Sequence, residues 1–268
     1  MSDLSAPSTG LLAAGDPHPV SASNPGGASP LLLVGDHAGR GIPAALGALG
    51  LPPAELDRHI ACDIGVAGLG EKLATALDAV FIRQRYSRLV IDCNRVPGAE
   101  GSIAEVSDGA RVPANLGLTA DQAEVRRREI YQPYHNRIAA ELDARAAAGR
   151  ATILFALHSF TPVMDGLDRP WRFGVLHRGD SPFSSAVLAR LQADLGEAAG
   201  DNQPYSLSEV DNTVPLHADT RGLDYLELEV RQDLIATAQG QAEVAGYLAA
   251  VLREALARVP TPARKGSA

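Results

Sequence analysis

The apolar positions of the chain fall into short runs that carry no charge and are rich in aliphatic residues. Such runs are typical of strands buried on both faces, in a sheet that helices cover on either side. The clearest run is Ala-Thr-Ile-Leu-Phe-Ala-Leu over residues 151–157, and His158 follows it directly. Further strands are predicted at 30–34, 79–82, 88–92, 171–176 and 223–232, and helices at 64–77, 119–148, 184–199 and 241–258. This mixture of strands and helices predicts an α/β domain.

Both ends of the chain differ in composition from this patterned region. Residues 1–29 are rich in Ser, Ala, Gly and Pro and lack the basic start and apolar core of a secretory signal, so they predict a disordered lead-in. Residues 259–268 contain two prolines and a small basic end, which predicts a frayed tail. A single domain over residues 30–258 is therefore expected.

Two of the predicted strands deliver a histidine at their carboxyl ends. His158 follows the strand at 151–157, and His37 follows the strand at 30–34. Ligands of open α/β sheets bind beyond the carboxyl ends of the strands, so both imidazoles are candidate metal ligands. Asp63 stands where a helix begins, on the same rim, and is a candidate oxygen ligand of zinc, with His59 as a substitute. The alternatives remain open: His158 caps its strand by hydrogen bonding, and Asp63 is the N-cap of its helix.

Two further groups of polar residues are candidates for contact with a substrate. Asn94 and Arg95 follow the strand predicted at 88–92, and a guanidinium beside an amide is suited to gripping a carboxylate. Glu227 and Glu229 lie on one side of the strand predicted at 223–232, and Glu229, nearer its end, is the better candidate for a general base. The alternatives are a solvated arginine and a solvent-facing strand edge.

Charge and cysteine content narrow the class of protein. The formal net charge is −8, the pI is about 5.4, and no basic stripe with interleaved aromatics is present, which argues against a nucleic-acid partner. No apolar run approaches the roughly 20 residues of a membrane-spanning helix. The two cysteines, Cys62 and Cys93, form neither a disulfide framework nor a metal clip, and they suit a reducing cytoplasm.

Six short motifs together resemble the N-formylglutamate amidohydrolase family and, more distantly, zinc carboxypeptidases and the aminoacylase and succinylglutamate desuccinylase enzymes. They are Asp36-His-Ala-Gly39 with Ile42-Pro43, Cys62-Asp-Ile-Gly65, Tyr86-Ser-Arg-Leu-Val-Ile-Asp-Cys-Asn-Arg95, Tyr131-Gln-Pro-Tyr-His135, Leu157-His-Ser-Phe-Thr-Pro162 and Leu228-Glu-Val-Arg-Gln232. The resemblance covers about residues 31–256. It implies a three-layer α/β/α sandwich with a mixed central sheet, as in zinc carboxypeptidases, and one zinc or other divalent ion.

The resemblance also implies roles for individual residues. The distant relatives use a His-x-x-Glu pair and a later His as ligands, but Arg40 stands three residues after His37, so His37, Asp63 and His158 are the expected ligand set. Glu229 matches the glutamate base, and Asn94 with Arg95 matches the pair that binds a substrate carboxylate. Arg88, Ser159 and His217 complete the expected substrate-binding set.

The implied reaction is hydrolysis of the amide bond of a small N-acyl amino acid, with N-formyl-L-glutamate as the leading substrate. Two alternatives are open. The same chemistry can act on another N-acyl amino acid or a small peptide, because pocket residues set selectivity more than the scaffold does. The scaffold can also serve as a non-catalytic binding module, since the expected ligand set departs from that of the distant relatives.

Overall fold

The apolar runs form the strands of a central sheet. The computed structural model describes residues 10–207 and 211–259; the lead-in before residue 10 and the tail beyond Val259 lie outside the described residues. The strands are β1 Val20–Ser23, β2 Leu31–Gly35, β3 Val80–Gln84, β4 Val106–Ser107, β5 Ala110–Arg111, β6 Ile153–Phe160, β7 Val163–Met164, β8 Leu167–Asp168, β9 Phe173–Leu176, β10 Ala199–Asp201 and β11 Asp224–Arg231. The helices are α1 Pro53–Leu56, α2 Val66–Leu77, α3 Ala120–Arg126, α4 Gln132–Ala147, α5 Pro182–Leu195, α6 Thr213–His217 and α7 Ala238–Arg258.

Seven of these strands form one mixed sheet in the order β1-β3-β2-β6-β11-β9-β10. The four central strands β3, β2, β6 and β11 are parallel to one another. At one edge β1 is antiparallel to β3, and at the other β9 is antiparallel to β11 and parallel to β10. The pairs β4·β5 and β7·β8 form two small separate hairpins. The predicted mixed sheet is confirmed.

Alternate residues of the central strands pack into two apolar cores, one on each face of the sheet. On β2, Leu31 and Leu33 belong to the core beneath α2, α5 and α7, whereas Leu32 and Val34 belong to the core beneath α4. Because successive side chains of a strand point to opposite faces, a continuous apolar run is needed when helices cover both faces. The three-layer α/β/α fold predicted from the sequence is confirmed.

The face that packs against α4 changes from apolar to polar along β6 and β11. On β6 it carries Leu154 and Ala156 in the core and then His158. On β11 it carries Tyr225 in the core and then Glu227 and Glu229. Glu229 lies directly opposite His158 in the parallel register, so the change occurs at the same level on both strands. The polar side chains therefore gather at the carboxyl ends of the parallel strands.

Two predictions of secondary structure are wrong. The lead-in predicted to be disordered through Ser29 contains β1, whose residues pair with β3 from Val20↔Gln84 to Ser23↔Phe81. The strand predicted at 88–92 is a series of turns. Its apolar residues Leu89, Val90 and Ile91 are buried in the core beneath α4 without joining the sheet.

The long helix predicted over 119–148 is interrupted. A capping box of Thr119 and Gln122 opens α3, and a π-helical turn over Arg127–Tyr131 then connects it to α4. Pro133, in the first turn of α4, lacks the N–H that a regular helix would use, which places the irregularity directly before it.

Candidate active site

A cavity of about 660 Å³ opens at the carboxyl ends of β2, β6 and β11. The segment after β2 contributes His37, β6 contributes His158 and Ser159, and β11 contributes Glu227 and Glu229. Loops complete its wall with Asp63, Arg88, Asn94, Arg95 and Asp211. All of these residues except Asp211 were predicted as site candidates, and the predicted substitute ligand His59 lines the cavity too, whereas the predicted His217 does not.

Three of the predicted residues form one buried group. His37, Asp63 and His158 each offer one ligand atom, and the three atoms all lie within 4.8 Å of one another. An Asp63 oxygen lies 3.0 Å from Nδ1 of His158 and 3.6 Å from Nδ1 of His37. Asp63 is not the N-cap of α2, which begins at Val66 with Gly65 as its cap. Its side chain is directed instead toward the two histidines.

The far nitrogen of each imidazole faces a second carboxylate. Nε2 of His37 lies 2.6 Å from Asp92, and Nε2 of His158 lies 3.3 Å from Asp36. A carboxylate behind a metal-binding histidine fixes the orientation of the ring and increases the basicity of the ligating nitrogen. Nδ1 of each ring faces Asp63, so these two nitrogens are directed toward the centre of the group. Neither Asp36 nor Asp92 was among the residues predicted from the sequence, although Asp36 directly precedes His37.

The acidic side chains are themselves held in place. Thr213 donates a hydrogen bond of 2.8 Å to Asp36, and Arg88 donates two hydrogen bonds, of 2.7 and 3.1 Å, to one oxygen of Asp92. The Ser159 backbone N–H donates to Asp63 at 3.2 Å. These bonds reduce the freedom of the carboxylates, so the histidines that face them are also restricted.

The electrostatics of the group favour added positive charge. Burial and Arg88 oppose protonation of His37, yet Asp92 and Asp63 outweigh them and raise its pKa. Burial also opposes protonation of His158, but Asp36 and Asp63 raise its pKa well above the ordinary value. Burial alone would raise the pKa of Asp36, yet His158 brings it down to about 2. A cation is thus strongly favoured among these carboxylates.

The residues present fit a divalent metal ion. Nδ1 of His37 is buried and has no hydrogen-bond partner in the described structure, which is costly unless it binds a ligand. Two imidazoles and a carboxylate are a donor set that zinc binds well, and two donors on one tetrahedral zinc lie about 3.3 Å apart. The 3.0 and 3.6 Å separations around Asp63 bracket that distance.

Glu229 stands beside this group as a buried carboxyl. It is 6% exposed, and its Oε2 has no hydrogen-bond partner in the described structure. Burial raises its pKa to about 7; Asp63 adds to the increase, and His158 opposes it. A carboxyl with a pKa near neutral is suited to accept and return a proton. This placement is consistent with the predicted role of Glu229 as a general base.

Arg95 and Asn94 also line the cavity and have different partners. Arg95 donates at 2.7 Å to Asp211 and at 3.0 Å to the carbonyl of Asn94, both from the same terminal nitrogen. Its other guanidinium N–H groups have no described protein partner. The side-chain oxygen of Asn94 accepts the backbone N–H groups of Asn212 and Thr213, so Asn94 also holds this loop in place.

His59 and His217 lie outside the metal-binding group. His59 lines the cavity, but its Nε2 lies 3.5 Å from Asp108. His217 is 2% exposed, and its Nε2 lies 2.9 Å from Nδ1 of His135. Burial lowers the pKa of His217 to about 3, with His135 and Arg221 adding to the decrease. His217 is thus a neutral buried side chain that packs behind the cavity wall.

Comparisons with known proteins agree with this arrangement. The model of the N-formylglutamate amidohydrolase family matches residues 29–236. A solved structure of a gene product from Agrobacterium tumefaciens is 34% identical with a TM-score of 0.89, over 92% of this chain and 98% of that one. The N-formylglutamate amidohydrolase from Ralstonia eutropha has the same fold, at 20% identity and a TM-score of 0.69, over 90% of this chain and 98% of that one.

No match to this chain is found among curated proteins. No helix in the described residues has the length and apolar character that crossing a bilayer requires. The family match covers every strand from β2 to β11, and therefore all the strands that contribute residues to the cavity. From this match, the chain belongs to the N-formylglutamate amidohydrolase family.

Proposed function

We propose that this protein is a zinc-dependent amidohydrolase that cleaves the amide bond of a small N-acyl amino acid. The leading substrate is N-formyl-L-glutamate, which would give formate and L-glutamate. The observation that carries the proposal is the buried group of His37, Asp63 and His158, with Glu229 beside it in the same cavity. The family's name supports the choice of substrate.

His37, Asp63 and His158 would hold the ion. When bound, it supplies Lewis acidity, which polarises an amide carbonyl and lowers the pKa of water. Asp92 and Asp36 keep the two rings oriented for this task. Their contribution is to hold the ligand atoms in place before the substrate arrives.

Arg95 would bind the α-carboxylate of the substrate through the edge of the guanidinium that Asp211 does not occupy. Anchoring that end places the acyl group toward His158 and Glu229, which removes much of the entropic cost of bringing the reacting groups together. The anchor thus determines which carbonyl reaches the reacting centre.

Glu229 would take a proton from the attacking water and pass it to the departing nitrogen. The water's oxygen becomes part of formate, the C–N bond breaks, and the two water protons together with the amide hydrogen complete the ammonium group of the product. Two features support the role of Glu229: its buried position opposite His158 and its pKa of about 7.

Turnover of a substrate panel tests the proposal. N-formyl-L-glutamate, N-formyl-L-aspartate, N-acetyl-L-glutamate and N-succinyl-L-glutamate should be compared after removal of metal with a chelator and after addition of zinc. We expect N-formyl-L-glutamate to be preferred and activity to depend on the added ion. If only another compound of the panel is turned over well, N-formyl-L-glutamate is not the substrate. If the protein is fully active after chelation, the reaction does not depend on a metal ion.

The rival assignment is a binding module that keeps the scaffold without catalysis. It is favoured if the purified protein binds zinc and N-formyl-L-glutamate yet hydrolyses no member of the panel. Glu229→Gln separates the two cases, because in an enzyme it abolishes turnover while retaining zinc, whereas in a binding module it has no turnover to change.

A further inference from the structure

Glu227 is a second carboxyl in the cavity, and the reaction described above gives it no task. It is 3% exposed and lines the cavity. No hydrogen bond or ion pair within the described residues involves its side chain. The carboxyl borders the cavity, so a ligand bound there can supply the hydrogen bond that the protein does not.

The sheet places Glu227 next to the proposed base. Glu227 and Glu229 are two residues apart on one face of β11, which separates their Cα atoms by roughly 6.7 Å. Glu227 pairs with Ala156 of β6 and Leu176 of β9 and is therefore one step deeper in the sheet than Glu229, which pairs with His158. Leu176 also lines the cavity, so Glu227 has an apolar neighbour in the cavity wall.

The two glutamates are affected by partly different charges around the cavity. Burial raises the pKa of Glu227 to about 8, with Asp211 and Glu229 adding to the increase and His158 opposing it. Asp63, rather than Asp211, adds to the raised pKa of Glu229. His158 is the charge that acts most strongly on both glutamates, whereas Asp211, the partner of Arg95, acts on Glu227. Because Glu227 lines the same cavity as His158, Arg95 and Asp211, it is close to both the metal-binding group and the carboxylate anchor.

The chemistry of the proposed substrate has a hydrogen-bond donor at that position. One carbon separates the amide nitrogen of an N-acyl amino acid from its α-carboxylate, so the nitrogen lies about 2.5 Å from the carboxylate carbon. If Arg95 binds the α-carboxylate and Glu229 acts on the water that attacks the carbonyl, the amide N–H is located between these two residues. A carboxyl has an acceptor oxygen whether or not it is protonated.

We infer that Glu227 is a substrate-contacting residue that accepts the hydrogen bond of the scissile amide N–H and then holds the ammonium group of the amino-acid product. This inference rests on the proposed function. It makes Glu227 a specificity residue: substrates with a secondary amide are accepted, and substrates whose nitrogen carries an alkyl group are rejected because they leave the buried carboxyl unpaired.

The test compares N-formyl-L-glutamate with N-formyl-N-methyl-L-glutamate, using the zinc-loaded full chain. Wild type should prefer the N–H substrate, and Glu227→Leu should reduce kcat/KM for that substrate by about 10- to 100-fold, because the amide N–H is then left without an acceptor in a buried site. The N-methyl substrate should be nearly unaffected, so the ratio between the two substrates collapses. Glu227→Gln, which keeps an acceptor oxygen, should fall between wild type and Glu227→Leu.

The exposed carboxyl variant Glu197→Gln is the matched control and should leave both substrates unchanged. A purely structural role of Glu227 would reduce kcat/KM equally for the two substrates and would overturn the inference. If wild type hydrolyses a different N-acyl amino acid, the proposed substrate fails, and the same N–H and N-methyl pair made from that amino acid tests Glu227.

Product binding gives a readout that does not need turnover. The Kd of the amino-acid product, L-glutamate for the leading substrate, is measured by calorimetry for wild type and Glu227→Leu. We expect binding to weaken about tenfold or more when the ammonium loses its carboxyl partner. Equal affinity in the two proteins, or no binding by wild type, would overturn the inference.

Discussion

Replacing His158 with alanine should greatly weaken zinc binding without unfolding the protein. His158 supplies one of three protein ligand atoms in the group it forms with His37 and Asp63. Zinc sites built from protein ligands have apparent binding free energies of about 10–16 kcal/mol, so one ligand is worth about 3–5 kcal/mol. Affinity should fall by a hundredfold to several thousandfold, in roughly equal measure for His37→Ala.

The same change has a separate effect on the metal-free fold. In the absence of an ion, His158 is the partner that lies 3.0 Å from Asp63 and 3.3 Å from Asp36. Removing one member of a buried charged group costs about 3–5 kcal/mol, because the remaining charges lose their partner. Metal-free His158→Ala should therefore unfold at a lower denaturant concentration than metal-free wild type.

The loss of zinc affinity is measured by zinc content after dialysis and by competition with a chromophoric chelator. Circular dichroism confirms that the variants are folded. His59→Ala is the matched control, because His59 lines the same cavity but lies outside the metal-binding group. Glu229→Gln should keep its zinc and lose turnover. Unchanged zinc content in both His37→Ala and His158→Ala, or an equal loss in His59→Ala, would refute the ligand assignment.

Three further outcomes are expected. Arg95→Lys should raise KM by about tenfold with a smaller change in kcat, because an ammonium group lacks the planar fork with which a guanidinium binds a substrate carboxylate and Asp211 at the same time. Steady-state kinetics measure both constants, and a fall in kcat alone would contradict this prediction. Asp36→Asn should weaken zinc affinity by about 10- to 100-fold, because the His158 ring is then held less firmly. Equal zinc affinity of the variant and wild type in chelator competition would show that Asp36 does not orient His158. The raised pKa of Glu227, about 8, means that its stabilising contribution is complete below about pH 4.5 and is lost as the pH rises through 8. In urea unfolding of the metal-free proteins, Glu227→Gln should therefore gain stability over wild type between pH 5 and 8.5, by up to about 5 kcal/mol, and parallel pH profiles would disagree.

The local sequence pattern was sufficient to predict the strands that build the site. A run of apolar residues without charge predicts a strand covered on both faces, and β2, β6 and β11 lie where such runs or alternations were found. Since parallel strands end at one edge of a sheet, residues such as His37 and His158 could be expected to meet there. Their meeting at this edge follows from the parallel direction of the strands and does not require knowledge of the side-chain packing.

The sequence pattern was not sufficient to predict a segment whose conformation depends on pairing with a segment far away in the chain. Nothing local distinguishes Val20–Ser23 from its disordered-looking surroundings, because its strand conformation arises from pairing with β3 about 60 residues later. The apolar residues Leu89, Val90 and Ile91 suit a strand, yet they are buried by α4 without any strand partner. Burial and hydrogen-bond pairing are separate requirements, and sequence pattern reports mainly the first.

For the site, the residue types and their positions along the chain predicted the two histidines, Asp63 and Glu229, and the structure brings these residues together at one cavity. The sequence did not show that Asp36 and Asp92 stand behind the rings, that His217 packs away from the cavity, or that Glu227 has no hydrogen-bond partner among the described residues. Those facts depend on distances between side chains that are far apart in sequence. The strand pattern determines which residues reach the edge of the sheet, whereas the tertiary packing determines what each of them faces there.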